Sequence, residues 1–170
     1  MRYLALEASP NPNGASSKLA KAFCDGLASK GDSFEILRLA DMKIEFCTGC
    51  LACNKNGNCI QEDDMTRILA PKTVEADAIV LVGPVYWWGI GSIMKLYIDR
   101  FYAIGKKAFA GKSLYAIFVG AEGVEGIQYK LIKSQLEQIC KYLKIDFKGF
   151  LPVQEAKLES GLENARALAL

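Results

Sequence analysis

Cys47, Cys50, Cys53 and Cys59 fall within thirteen residues, spaced C-x2-C-x2-C-x5-C. Thiolates this close in sequence can ligate one soft metal centre, pair as disulfides or relay electrons. They can equally be reduced thiols with no chemical role. The chain contains no histidine. That removes Ser-His-Asp and Cys-His catalysis, the H-E-x-x-H zinc site and Cys/His zinc fingers. Any chemistry therefore rests on cysteine, a carboxylate, a hydroxyl or a borrowed cofactor.

Three further stretches carry unusual side chains. Ser9 to Ser17 is dense in turn residues and offers the hydroxyls of Ser9, Ser16 and Ser17, the amides of Asn11 and Asn13, and Gly14. Leading into a helix, such a loop presents unpaired N–H groups at the positive end of the helix dipole, which suits a phosphate; it suits a plain N-cap with no ligand equally well. It lacks the G-x-G-x-x-G of a dinucleotide fingerprint. The Gly111-Lys112-Ser113 triplet is no Walker loop either, because Lys106 stands where the first glycine is required. Gly83 to Ser92 contains Tyr86, Trp87 and Trp88 in a row. Three consecutive aromatics cannot all enter a core; a planar ligand can stack on one, and a protein interface would use them as well. Gly120 to Gly126 is glycine-rich, a flexible turn or a source of backbone N–H groups for a polar ring edge.

The elements that position these loops alternate. Strands are expected over 3–8, 34–39, 78–82, 113–119 and 145–153. Helices are expected over 15–30, from Asp63-Asp64 onward, over 91–104, over 128–143 and, with poor hydrophobic contrast, at the end of the chain. The helix over 91–104 places Ile93, Leu96, Tyr97 and Phe101 inward. The continuous apolar run Ala78–Val82 is the mark of a central parallel strand covered on both faces. This alternation predicts an α/β fold: a flavodoxin-like, doubly wound, five-stranded parallel sheet of order 2-1-3-4-5 with helices on both faces, one domain over 1–170. Ligands bind such sheets beyond the carboxyl ends of the strands, where the three unusual loops lie.

Composition sets outer bounds. The chain has 170 residues, 51% hydrophobic and 24% charged, with net charge +2. Near-neutral charge argues against nucleic acid as a main partner, and no apolar run approaches a membrane span. The first apolar stretch is too short for a signal peptide. A cytoplasmic setting follows as the expectation, and there cysteines stay reduced, which disfavours a disulfide scaffold. Together the loops suit a ligand with one phosphate and a planar ring. FMN has that shape, and a flavin carries redox chemistry without a protein acid or base.

At this level of detail the chain resembles the NAD(P)H-dependent FMN reductase superfamily, and within it the iron–sulfur flavoprotein branch. The resemblance rests on Ser9-Pro10-x-x-Asn13-Gly14-x-Ser16, the cysteine stretch with Asp63-Asp64-Met65, Pro84-Val85-Tyr86-Trp87, and Lys95-x-x-x-Asp99-Arg100, in that order. It implies a flavodoxin-like fold, bound FMN, and electrons arriving from NADH, NADPH or a protein donor. By position, Ser9, Asn11, Asn13, Gly14, Ser16 and Ser17 would hold the phosphate. Pro84, Val85, Tyr86, Trp87 and Trp88 would line the isoalloxazine, with Gly120, Ala121, Glu122 and Gly123 near its pyrimidine edge. Many relatives carry a basic residue where Asn11 stands, and the region after Val153 is short. A homo-oligomer, dimer or tetramer, is also implied.

The cysteine spacing compares with the bacterial ferredoxin run C-x2-C-x2-C-x3-C-P, but the last gap is longer and Ile60 follows. Gly57 lets that gap relax, so Cys47, Cys50, Cys53 and Cys59 are candidate ligands of one [4Fe–4S] cluster; zinc suits the spacing less. Reduced, metal-free thiols remain the alternative. Lys95 and Asp99, with Arg100 beside them, read as a surface ion pair on a helix, and Glu122 as a solvated loop carboxylate. Cys24 and Cys140, inside amphipathic helices, read as small buried hydrophobes. The expected activity is an FMN-dependent oxidoreductase that relays electrons, through a cluster if the cysteines hold one. A metal-free flavin or quinone reductase stands as one alternative. A flavin-free binding module that uses the aromatic loop as an interface stands as another.

Overall fold

Ala78–Val82 is the middle of the sheet, with every residue of the run fully buried. The computed structural model describes residues 1–170. In chain order its main elements are β1 (Arg2–Glu7), α1 (Ala15–Ser29), β2 (Ser33–Arg38), α2 (Ala52–Asn56), α3 (Ala70–Glu75), β3 (Ala78–Tyr86), β4 (Gly89–Ile90), α4 (Ser92–Asp99), α5 (Phe101–Ile104), α6 (Lys106–Phe109), β5 (Ser113–Gly120), α7 (Ile127–Leu143), β6 (Asp146–Gln154) and α8 (Leu158–Ala169). The strand order is β2-β1-β3-β5-β6, all parallel, and β4 pairs antiparallel with the end of β3. With the two-residue β4 set aside, this is the expected flavodoxin-like order.

Alternation along β3 divides the core into two layers. Ile79 and Leu81 face α3, α4 and α7 and pack with Leu4, Leu6, Tyr97, Phe118 and Leu136. Ala78, Val80 and Val82 face α1 and α8 and pack with Ala5, Leu19, Phe23, Leu27 and Ala165. Cys24 and Cys140 are buried, one in each layer, and burial pushes both thiols up to about 12.

Three helices depart from the sequence pattern, each for a local reason. The stretch after Asp63-Asp64 begins as a π-helical turn, Met65–Leu69, before α3. Pro71 lies within this stretch and has no N–H to return to the preceding turn, a setting in which the ladder widens. The helix expected over 91–104 is broken at Arg100, the junction of α4 and α5. Tyr97 and Phe101 are buried as expected, whereas Ile93 and Leu96 only pack against the rim of the core. Helix α8, expected to have poor hydrophobic contrast, is as amphipathic as the others: Gly161, Ala165 and Ala169 form a buried stripe, flanked by half-buried Leu158, Leu162 and Leu168. That stripe permits close approach: a Cβ on Gly26 of α1 would lie 2.6 Å from the Arg166 carbonyl oxygen. No helix is long and apolar enough to cross a membrane.

Candidate functional site

The order in which strands are added reverses between β1 and β3, which remain parallel, and the loops after these two strands are the Ser9–Ser17 loop and the aromatic loop. Register holds them side by side: Glu7 pairs with Val82, and Ala8 N–H donates to the Val82 carbonyl at 2.9 Å. β5 adjoins β3 on the other side, with Pro84 opposite Val119, so all three loops share one rim.

The first loop is shaped by its own short side chains. Ser9 Oγ accepts the Asn11 N–H at 3.2 Å, Asn11 Oδ1 accepts the Asn13 N–H at 3.0 Å, and Ser17 Oγ donates to the Asn11 carbonyl at 3.3 Å. Side-chain bonds of this kind favour a turn over a continued strand. Gly14 is required for space: a Cβ there would lie 3.1 Å from the Asn11 carbonyl oxygen and 3.3 Å from Ser9 Oγ. No side chain caps α1, and its first bond runs from Lys18 N–H to the Gly14 carbonyl. The N–H groups ahead of Lys18 therefore face the loop, the arrangement that receives an anion. Beneath it, the buried Glu7 accepts the Ser9 N–H at 2.7 Å and pairs with Arg38 at 3.2 Å, and Arg38 also pairs with Asp41. The bracing by Glu7 and Arg38 was invisible in the sequence, since strand residues thirty-one apart signal nothing locally.

The aromatic loop is a tight hairpin. Val85 pairs with Ile90 and Tyr86 with Gly89, leaving Trp87 and Trp88 as the two turn residues, at φ of +47° and +60°. Two-residue hairpin turns with positive φ at both positions normally use Asn and Gly, and a tryptophan there is strained by about 1–2 kcal/mol. Trp87 is 92% exposed, and Tyr86 and Trp88 are about half exposed. The hairpin faces the third loop across a cavity of 230 Å³ lined by Val85, Trp87, Trp88, Ala121, Glu122 and Gln128. Gly120 is held close, since a Cβ there would lie 3.1 Å from Val85 Cβ. Gln128, unmarked in sequence because it falls at the start of an amphipathic helix, is 3% exposed, and its Oε1 has no hydrogen-bond partner. Of the residues expected around the ring, Val85, Trp87, Trp88, Ala121 and Glu122 share this opening, whereas Pro84, Tyr86, Gly120 and Gly123 do not line it. Shape and donor set suit FMN: uncapped N–H groups for a phosphate, and an aromatic-walled cavity with an unpartnered amide oxygen for a polar ring edge.

The cysteine stretch lies apart from this rim, between β2 and the π-helical turn. All six cysteines are free thiols. Cys47, Cys50, Cys53 and Cys59 line a single 40 Å³ pocket together with Asp99, Arg100 and Tyr102. The backbone N–H of Ala52 and the Thr48 side chain hold the Cys50 thiol below the ordinary cysteine range. The donor chemistry of one pocket lined by four thiols fits thiolate-bound iron. No three of the chain's cysteine, aspartate and glutamate side chains converge on one point where an ion could sit.

Arg100 and Asp63 fasten this stretch to the core. The sequence places Arg100 beside a surface pair, and Lys95 and Asp99 do form one, each about two-fifths exposed. Arg100 itself is buried, as is Asp63, and their side chains pair at 2.8 Å. Burial alone would raise the Asp63 carboxyl, but Arg100 and the N–H groups of Glu45 and Thr66 hold it below the usual carboxylate range. Arg100 Nη2 also donates to Cys59 Sγ at 3.3 Å. Helix α4, eight residues long, runs from the base of the hairpin to this pair, a rise of about 12 Å.

Comparison with known proteins gives the family and the fold. The sequence profile described as NADPH-dependent FMN reductase matches residues 1–144. An iron–sulfur flavoprotein of Archaeoglobus fulgidus is 32% identical over 140 residues, covering 79% of this chain and 63% of that protein. The chain spans about half to two-thirds the length of such relatives, 63%, 51% and 48% for three of them. Among solved structures, an azoreductase from Bacillus anthracis str. Sterne superposes with a TM-score of 0.77 at 16% identity, over 99% of this chain and 98% of that one. An FMN-dependent NADH-azoreductase from Bacillus anthracis str. Ames Ancestor, solved in complex with FMN, gives 0.70 at 15% identity over 99% and 96%. At these identities the likeness is one of fold.

Proposed function

The chain belongs to the NADPH-dependent FMN reductase family, and from that premise we propose that it is an FMN-dependent oxidoreductase that takes electrons from NADH, NADPH or a protein donor. In this reading the phosphate sits in the loop of Ser9, Asn11, Asn13, Gly14, Ser16 and Ser17. The isoalloxazine lies against Pro84, Val85, Tyr86, Trp87 and Trp88, with its polar edge at Gly120 to Gly123. When bound, FMN supplies hydride acceptance and the release of electrons singly or in pairs. The chain's own residues bind and orient it: Ser16, Ser17 and the first N–H groups of α1 offset phosphate charge, and the strained Trp87–Trp88 turn walls the ring cavity.

The observation that carries this reading is that the loops after the adjacent parallel strands β1, β3 and β5 share one rim, each offering a different part of one ligand's surroundings. Cys47, Cys50, Cys53 and Cys59 would hold a [4Fe–4S] cluster, which supplies one-electron storage; four thiols lining one pocket at the far end of α4 support that part. A metal-free flavin or quinone reductase, with the four cysteines as free thiols, is the second reading. A homo-oligomer in the cytoplasm fits the exposed Trp87 and the family.

Protein purified without oxygen tests these readings together. The two-banded visible spectrum of flavin is expected, released as FMN on denaturation. Broad visible absorbance with matching iron and sulfide is expected if the cysteines bind a cluster; flavin without iron supports the second reading. Colourless protein that fails to bind added FMN would overturn both.

A further inference from the structure

The cysteine stretch is a loop with a closed neck. At its base Asp64 N–H donates to the Lys43 carbonyl at 3.0 Å, and Lys43 N–H returns a bond to Asp64 Oδ2 at 2.7 Å. One step further in, Glu45 N–H donates to Asp63 Oδ2 at 2.9 Å, and Gln61 Nε2 to the Phe46 carbonyl at 3.0 Å. Arg100 enters this neck from the α4–α5 junction. Nη1 donates to the Glu45 carbonyl at 3.0 Å and to Asp63 at 2.8 Å, and Nη2 to Asp63 at 3.2 Å, to Thr66 Oγ1 at 3.1 Å and to Cys59 Sγ at 3.3 Å. One guanidinium thus holds both strands of the neck and one of the four sulfurs.

Its position suits that task. Arg100 is 1% exposed, and with Cys59 it lines both the cysteine pocket and a second cavity of 390 Å³ beside the π-helical turn. Buried ion pairs add little net stability when compared with apolar residues of the same size. None of these bonds reaches the rim where the flavin loops meet. What distinguishes the arrangement is an N–H donor and a full positive charge placed on a candidate ligand sulfur. Hydrogen bonds to cluster sulfurs and nearby charge are among the factors that set cluster potentials.

We propose that Arg100, seated on Asp63, is the positioning residue of the cysteine pocket: it closes the neck of the loop, fixes Cys59, and raises the reduction potential of a cluster bound there. The proposal rests on the reading of the four cysteines as cluster ligands. Reduction by one electron adds a negative charge beside Cys59, and a guanidinium at that sulfur favours the reduced state.

The test compares wild type, Arg100→Lys and the double variant Arg100→Met with Asp63→Asn, which leaves no unpaired buried charge. Each is purified without oxygen and assayed for FMN, iron and sulfide. The cluster midpoint is measured by redox titration, and backbone hydrogen exchange is followed over residues 45–62. Retained FMN and unchanged exchange in the sheet show that a variant is folded. The expected result is that the double variant either loses iron and sulfide or keeps them with its reduction equilibrium at least tenfold less favourable, about 59 mV lower for one electron. Arg100→Lys, which keeps the charge but not the fork, should fall between. Exchange over 45–62 should rise at least tenfold in the double variant. A folded double variant with unchanged iron, sulfide, midpoint and exchange overturns the proposal while the cluster reading stands. If wild type holds no iron or sulfide, the cluster reading and the effect on potential fall, and exchange in the metal-free proteins decides the rest: faster exchange supports Arg100 as the clasp, and unchanged exchange overturns it.

Discussion

Ser16 and Ser17 differ in what they have to give. Ser16 is buried, and Ser17, half-buried, already donates to the Asn11 carbonyl. Both stand in the first turn of α1, where a hydroxyl adds to N–H donors aimed at one anion. Replacing both with alanine should weaken FMN binding by about 1–3 kcal/mol, the range for hydrogen bonds to a charged group, when Kd is read by fluorescence titration. Unchanged affinity would move the phosphate elsewhere. Asp63 carries a pH signature of its own. Its carboxyl is held below the value it would have in the unfolded chain, about 3.9, so its contribution to stability is complete above that value and disappears as pH falls through the lower, folded one. Thermal unfolding from pH 6 downward should therefore show an acid loss in wild type that is smaller in Asp63→Asn. That variant should start about 3–5 kcal/mol less stable because Arg100 is left buried without its partner. Such pairs are the part of the site a sequence hides. Arg100 follows Asp99 on a helix and reads as a surface cation; only the return of the chain thirty-seven residues away reveals its partner.

At the scale of elements, the strands were legible and the helix interruptions were not. Ala78–Val82 announces a strand buried on both faces because nothing polar intervenes, and the loops after β1, β3 and β5 stand out by composition. The break in the helix after Gly91 has no glycine or proline to mark it; Arg100 is drawn inward by acceptors from distant segments. Helix α8 buries glycine and alanine deepest and leaves Leu158, Leu162 and Leu168 half-buried beside them. The hairpin was legible as aromatic but not as a turn, since its residues are the wrong ones for positive φ. That mismatch gives a prediction. Trp87 is almost wholly exposed, so Trp87→Gly removes little packing and relieves left-handed strain of about 1–2 kcal/mol, less the roughly 0.5–1 kcal/mol that glycine costs in unfolded-state entropy. The flavin-free protein should unfold at a higher temperature as a result. A lower unfolding temperature would mean that the indole packs where it stands solvated here.

For the whole molecule, two layers of core lie on either side of one sheet, and the cysteine stretch contributes a side chain to neither. Its hydrogen bonds to the rest of the molecule gather at the neck, at Asp63, Asp64, Gln61 and Arg100, and α2 lies beside α5. Replacing Cys47, Cys50, Cys53 and Cys59 together with serine should leave the far-ultraviolet spectrum and FMN content unchanged while abolishing any iron. Loss of FMN from this variant would show that the two sites are structurally dependent. Helix α4 is what joins them. One residue of helix is about 1.5 Å of length and about 100° of turn, so a deletion within α4 cannot shorten the span without also swinging Arg100 away from Asp63. Distance and bearing are locked together, as in a threaded rod. Substitutions on its outer face, at Lys95 or Asp99, retune charge along the span, whereas any change in its residue count is felt at both ends at once.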